Sequence, residues 1–381
     1  MACLLDKLPP RLSLKHAKGK LQHDYLLWAR GPAHGINAKV ALKNYNNTLI
    51  GIERRARLNL SILNKINATV IKMFCFPGKI AAQILLLISW VSLSFAESQT
   101  FYFTTIPDQD EVALVRRFEK LGPYLERKLG VHAVYVPASS YEAAVKAFVS
   151  GQVQLGWFGA FSGIKARHAV PGSQILAQGE KDQTFKSYFI GHVPRGLKPA
   201  AGFPRALEGK SFVFGSPIST SGRLIPEFWI RRQFGKAPRE VFSRVSFSGD
   251  HSSTLDLVQS GAADAGALDY TVFEAAQKAG KIDPAKVEII WETPPFPDTA
   301  FIIRGDANAM FGAGFIAKVR DVLIGIDDED ILRAFGRPKF VAASNEQYEF
   351  IEELASLLEA QEALGVSNYR ERAGRRRLSL T

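Results

Sequence analysis

Ser219-Thr220-Ser221, closed by Gly222, sits where a strand-like run (211–214) gives way to a helix-like one (223–234). Three hydroxyls at such a junction lie beside unpaired helix N–H groups and the positive end of the helix dipole. That chemistry suits an oxyanion held by neutral donors rather than by Lys or Arg. An ordinary Ser/Thr N-cap uses the same residues, so the rest of the chain has to decide. His251 follows Gly249-Asp250 at another helix start, where an imidazole can donate toward an anion. Tyr141 opens a third helix with a phenol whose tip is polar. Asp269 bears on selectivity, because a carboxylate beside an anion repels it unless the ligand carries a proton to share. If Asp269 pairs with Lys186 or His251 instead, the pocket suits a dianion.

These residues need a scaffold that brings them together, and the order of elements supplies one. From residue 97 onward short β-type runs alternate with amphipathic helical ones, which predicts an α/β fold. Two sets of elements superpose at a shift of 110: Pro107 falls on Pro217, Ser150-Gly151 on Ser260-Gly261, Gly156 on Gly266 and Tyr141 on His251. One offset held without a gap argues for duplication over chance. In open α/β sheets the ligand crevice lies beyond the carboxyl ends of the strands, where helices begin. Two such lobes facing each other would line a cleft with Pro107–Asp110 (including Gln109), Tyr141 and Phe158-Gly159-Ala160 from lobe 1. Lobe 2 would add Ser219-Thr220-Ser221, His251 and Asp269-Tyr270.

The predicted division is lobe 1 from 97–195 with about 296–365, which carries the C-terminal helices, and lobe 2 from 205–295. Crossings through 196–204 and through Pro294-Pro295-Phe296-Pro297 would act as a hinge, and 366–381 would be a flexible tail.

Bulk composition removes several function classes. The net charge of +11 is misleading, since residues 1–72 hold 13 Lys/Arg against 3 Asp/Glu. Beyond residue 96 basic and acidic residues balance, so no nucleic-acid partner is expected. Met73 opens a stretch with one Lys, an apolar run from Ile80 to Leu93, and Ser94-Phe95-Ala96 with small residues at −3 and −1. That layout predicts a signal peptide over 73–96, cleavage after Ala96 and a periplasmic product, with 1–72 as a non-native or disordered extension. Both cysteines, Cys3 and Cys75, precede the cleavage point, which excludes disulfides, thiol catalysis and Cys-metal sites from the remainder. No metal, no cofactor and a monomeric state are expected.

The motif set Ser140-Tyr141, Trp157-Phe158-Gly159, Ser219–Gly222 and Gly249-Asp250-His251 resembles the phosphonate/phosphite-binding proteins of ABC transporters. The resemblance spans about Thr100–Asp306. Within that family Ile106-Pro107-Asp108-Gln109-Asp110, Phe185-Lys186-Ser187-Tyr188 and Phe247–Ser252 look closest to a putative selenate-binding subgroup. The resemblance implies a two-lobed, type II-like periplasmic binding protein that closes on a small oxyanion and docks on a membrane permease. It implies that Ser219, Thr220 and Ser221 hold the anion, that Tyr141 and Tyr188 donate from lobe 1, and that His251 donates from lobe 2. Asp269 would accept a ligand proton, and Lys186 would add charge for a dianion. Phe158, Gly159 and Gln109 would complete the wall.

Other readings carry less. A Ser221–His251–Asp269 triad would make a hydrolase, but a nucleophilic serine needs a strained, exposed elbow and this run caps a helix. A binder of taurine, an alkanesulfonate or another organic anion would need a longer apolar wall, a reading that Trp157, Phe158 and Phe161 keep open. A sensor module has no second membrane segment here.

Overall fold

Short aromatic and β-branched runs bounded by Gly, Pro and Ser form eleven strands among the described residues, 99–109 and 111–363, of this computed structural model. All of them lie within the unit Glu97–Thr381. The first half lays down β1 (Phe101–Thr105), α1 (Glu111–Leu129), β2 (Ala133–Tyr135), α2 (Tyr141–Val149), β3 (Leu155–Phe158), α3 (Ala160–Ala169) and β4 (Gln174–Gly179). After β5 (Ser187–His192) the pattern repeats as β6 (Ser211–Phe214), α4 (Ile225–Phe234), α5 (Pro238–Val241), β7 (Arg244–Phe247), α6 (His251–Gln259), β8 (Ala265–Asp269), α7 (Tyr270–Lys278) and β9 (Val287–Glu292). The chain then returns through β10 (Ala300–Ile303), α8 (Ala307–Phe311), α9 (Phe315–Ile324), α10 (Glu329–Phe335), β11 (Phe340–Ala342) and α11 (Glu349–Ala363).

Two sheets result, ordered β11-β4-β10-β3-β1-β2 and β7-β6-β8-β5-β9. They share one plan. In each, the first strand pairs in parallel with the second and third (β1 with β2 and β3; β6 with β7 and β8). An antiparallel strand then separates the third strand from the fourth, β10 in lobe 1 and β5 in lobe 2.

This exchange corrects the predicted lobe boundary. Residues 187–192 pair with β8 and β9 and so belong to lobe 2, and the first crossing runs through 180–186 rather than 196–204. Period and composition mark β5 as a strand, but nothing local names its partner, and contiguity with β4 points to the wrong sheet.

The two crossings lie side by side. Phe185 and Phe296 exchange backbone hydrogen bonds of 2.8 and 2.9 Å, and the Asp298 N–H donates to Asp182 C=O at 3.0 Å. A paired ribbon of this kind bends more readily than it slides, as a hinge requires.

The C-terminal helices pack on the first sheet. Two of them, α8 and α9, are divided at Gly312 and Gly314, whose φ angles of +105° and +82° a helix cannot contain. Phe315, Val319, Leu323, Ile331 and Phe335 fill one face of the sheet with Phe101, Phe103 and Trp157. Each such buried side chain contributes about 1.5–3 kcal/mol. On the other face Tyr348, Ile351, Leu354 and Leu358 close over Phe158, Phe161 and Ile164. That second cluster also takes in Leu224, Ile225 and Phe228 of lobe 2, so the lobes share apolar contact. The predicted extension 1–72, signal peptide 73–96 and tail 366–381 lie outside the described residues.

Candidate functional site

The loop after β6 is tied before its helix begins. The Gly215 N–H donates to Gly222 C=O at 2.9 Å, and the Gly222 N–H donates to Ser219 Oγ at 3.0 Å. The Leu224 N–H reaches five residues back to Ser219 C=O at 3.0 Å, which makes Thr220–Leu224 one π turn. Such turns widen the helix and often accompany functional sites. Here the widening sets Ser219, Thr220 and Ser221 on the cleft wall, all buried. Gly222 is required by close approach: a Cβ there would lie 2.9 Å from His251 Cε1 and from Ser219 Oγ. Gly222→Ala is therefore expected to push the imidazole out of place and weaken ligand binding by about tenfold, some 1–2 kcal/mol. Calorimetry beside a circular-dichroism melt separates that loss from unfolding.

Tyr141 and His251 occupy matching first positions of α2 and α6. The caps match too: Ser140 Oγ accepts from the Ala143 N–H at 3.1 Å, and Asp250 Oδ1 accepts from the Ser253 N–H at 2.8 Å. The 110-residue repeat thus aims two equivalent side chains at one point, and Tyr141 Oη lies 3.4 Å from His251 Nε2 across the cleft. The Asp269 backbone N–H points at His251 Nδ1 from 3.2 Å, which makes that nitrogen an acceptor. In the neutral ring Nε2 then carries the proton and faces the cleft as a donor. Burial pushes the Tyr141 hydroxyl well above its usual range, so it remains a neutral phenol.

The lobes are latched around these groups. The His251 N–H donates to Asp108 C=O at 3.1 Å, and the Phe161 N–H in the first turn of α3 donates to Thr220 Oγ1 at 3.0 Å. Asp298 Oδ1 accepts from the neighbouring Ala160 N–H at 2.9 Å. Gly159, which precedes α3, leaves space for this: a Cβ would stand 3.1 Å from Asp298 Oδ1 and 3.2 Å from Thr220 Oγ1.

Three carboxylates, Asp108, Asp269 and Asp298, line the cleft, and no Lys or Arg does so among the described residues. Burial raises Asp269, with His251 and Arg337 pulling the other way. Burial pushes Asp298 up to about 7, against the lowering effect of the Ala160 and Thr220 hydrogen bonds. Such a site can take an anion if it shares a proton with a carboxylate, while helix N-termini and neutral donors hold the remaining oxygens. The cleft has about 240 Å³ of atom-free space, part of it open to solvent. Among the described residues there is no cluster of three or more His, Cys, Asp or Glu that could hold a metal.

Of the residues expected here, Tyr141, Gly159, Ser219, Thr220, Ser221, His251 and Asp269 converge on the cleft. Asp108 joins them, whereas Pro107, Ala160 and Tyr270 are not among the lining residues, nor are four others. Tyr188 lies on β5 in lobe 2, and its hydroxyl donates to Glu274 at 3.1 Å. Lys186 pairs with Glu292 at 2.9 Å on the partly exposed rim. Phe158 is wholly buried beneath the cleft, edge-on to Phe148. Gln109 is placed beside Asp108 at the edge, its amide 3.4 Å from that carboxylate. The first two misplacements follow from assigning β5 to lobe 1. Asp298 and Thr299 were not singled out in the sequence, and Ile106 entered only as part of the 106–110 motif. Asp298 directly follows the proline-rich crossing Pro294–Pro297, and an acid at the end of a hinge strand is the signal that would have found it.

Residues 103–348 match the family described as ABC transporter, phosphonate, periplasmic substrate-binding protein. This chain belongs to that family. It is 34% identical over 271 residues to the probable ABC transporter phosphite binding protein PhnD1 of Prochlorococcus marinus, covering 69% of this chain and 91% of that one. The Phosphate-import protein PhnD of Mycolicibacterium smegmatis is 25% identical over 236 residues, 58% of this chain and 70% of that relative. The solved structure of the Prochlorococcus PhnD1 in complex with methylphosphonate superposes with a TM-score of 0.66, covering 69% of this chain and 99% of that one. A binding-protein component of a Pseudomonas aeruginosa ABC phosphonate transporter, 18% identical, shares the fold with a TM-score of 0.61, over 73% of this chain and 92% of its own. Phosphonate-family proteins of this kind are the periplasmic binding components of transporters, and family membership makes a membrane permease the partner.

Proposed function

We propose that this phosphonate-family protein captures a small, proton-bearing phosphorus oxyanion, phosphite or methylphosphonate, and delivers it to its permease. The observation that carries the reading is a cleft whose donors are neutral and whose buried carboxylates, Asp269 and Asp298, are raised toward neutrality. Phosphite and phosphonates lose their second proton near neutral pH and can share it with such a carboxylate. Selenate and sulfate carry none, and organosulfonates have only ionised oxygens, so all three meet repulsion. Ser219, Ser221, Tyr141 and His251 would donate to the remaining oxygens, and Thr220 would tie the closed lobes. The chemistry is capture without bond making, and closure strengthens each donor as water leaves. Export would proceed through 73–96, with release after Ala96, and the protein would work as a monomer.

Titration calorimetry of residues 97–381 with phosphite, methylphosphonate, phosphate, sulfate and selenate tests the reading. Binding of phosphite or methylphosphonate at least a hundredfold tighter than selenate is expected. In Asp269→Asn that gap should shrink by about tenfold, because the repulsion is gone and the proton acceptor with it. Equal or tighter selenate binding by the unchanged chain would overturn the assignment.

A further inference from the structure

Asp182 and Arg337 form an ion pair that the cleft itself does not use. The pair is bidentate, with Nε to Oδ2 at 2.8 Å and an Nη to Oδ1 at 2.6 Å, and both side chains are buried. Asp182 belongs to the first crossing. Its backbone C=O accepts from the Asp298 N–H at 3.0 Å, and its Oδ1 also accepts from Thr299 Oγ1 at 3.2 Å. Asp298 and Thr299 are the two residues that the second crossing contributes to the cleft wall.

Arg337 comes from neither crossing. It follows α10 after the left-handed Gly336, donates to Phe335 C=O at 2.8 Å, and lies over the Phe185 ring at 5.9 Å. Gly179 is kept bare to admit it, since a Cβ there would come within 2.3 Å of Arg337 Cγ and of Asp182 Oδ2.

We propose that Arg337 is a positioning residue of the oxyanion cleft, clamping the two crossings together through Asp182 where the second presents Asp298 and Thr299. The inference rests on the oxyanion reading above. Two features set the pair apart from a stabilising ion pair placed anywhere in a core. Buried pairs contribute little net stability compared with apolar packing, so location has to explain this one. The location is the hinge, one hydrogen bond from the cleft wall. The guanidinium also supplies a positive charge beside a cleft that no Lys or Arg lines among the described residues, and it favours the ionised forms of Asp269 and Tyr270. The titratable groups around this charge are Asp182, Asp269 and Tyr270, with Asp108, His251 and Asp298 completing the shell around Asp269.

The test compares Arg337→Gln and Arg337→Lys with the unchanged chain, by calorimetry with methylphosphonate from pH 5 to 9 and by thermal melts. Arg337→Gln is expected to weaken binding at least tenfold and to move the alkaline limb of the affinity profile to higher pH, because Asp269 holds its proton longer. Arg337→Lys keeps the charge and loses the fork, so it should restore the pH profile while recovering only part of the affinity. If the single variants do not fold, Asp182→Asn with Arg337→Gln keeps neutral hydrogen-bonding groups at both positions and serves the same comparison, with at least tenfold weaker binding expected. A folded Gln-bearing variant that binds within threefold of the unchanged chain overturns the proposal. So does a lowered melting temperature with affinity and pH profile unmoved, which is what a merely structural pair gives. An unchanged chain that binds neither methylphosphonate nor phosphite would remove the oxyanion reading itself, a result separate from either.

Discussion

Exchanging Asp298 for asparagine is expected to flatten the pH dependence of stability, with the larger difference on the alkaline side. Burial lifts the Asp298 carboxyl to about 7 from an ordinary 3.8. Between those values the folded chain keeps a proton that the unfolded chain has released, so stability falls as pH rises through the window. Below it both states are protonated, above it both are ionised, and the slope vanishes. Three pH units of displacement correspond to roughly 4 kcal/mol, and coupling to Asp269 and Asp182 makes about 2–4 kcal/mol the expected range. Asparagine stands in for the protonated acid: its carbonyl can still accept from the Ala160 N–H that Asp298 Oδ1 accepts at 2.9 Å. Urea unfolding at pH 4 and pH 8 measures the effect. The gap between Asp298→Asn and the unchanged chain should widen in favour of the variant at pH 8, and parallel curves would sink the prediction. The consequence for function is direct. A carboxyl that titrates near 7 can share a proton with an anion whose own second ionisation lies close by.

Thr220→Val should weaken ligand binding by about ten- to a hundredfold while altering fold stability much less. Valine matches threonine in shape but cannot accept from the Phe161 N–H, now bonded at 3.0 Å to Thr220 Oγ1, nor donate to Asp298. Phe161 lies in the first turn of α3, where the N–H has no partner within the helix. In the closed form it would be buried and unsatisfied, at a cost of about 1–3 kcal/mol. When the lobes part, water can replace the lost acceptor. The penalty therefore falls on closure, and because closure follows binding it appears as lost affinity. Thr220→Ser keeps the hydroxyl and should bind within a fewfold of the unchanged chain. Small-angle scattering with ligand should show a less compact Thr220→Val protein than Thr220→Ser. Equal affinity in the valine and serine variants would mean that this latch does not govern closure.

Much of the cleft was legible because duplication is a sequence property with a geometric meaning. A shift of 110 residues pairs Tyr141 with His251, and the folded chain brings those two side chains to 3.4 Å. Helix caps are equally local, so Ser140, Ser219, Asp250 and Asp269 could be placed at helix starts from residue type alone. Asp298 and Thr299 were not legible. Their place in the cleft depends on the pairing of two crossings more than a hundred residues apart, and hydrophobic period carries no record of that pairing.

The α/β alternation, the repeat, the hydroxyl run before α4 and the family were all readable along the chain, since each follows from short-range pattern or from motifs in fixed order. Tertiary structure alone decided that β5 crosses to the second sheet, which takes Tyr188 and Lys186 off the cleft and leaves Asp182 in the hinge. The physical reason is strand exchange. A strand's period fixes which of its faces is buried, whereas its partner is fixed by which sheet offers an open edge when the lobes assemble. The anion site is built at that junction, from neutral donors set by the sequence and from buried carboxylates whose proton affinity only the packed fold can set.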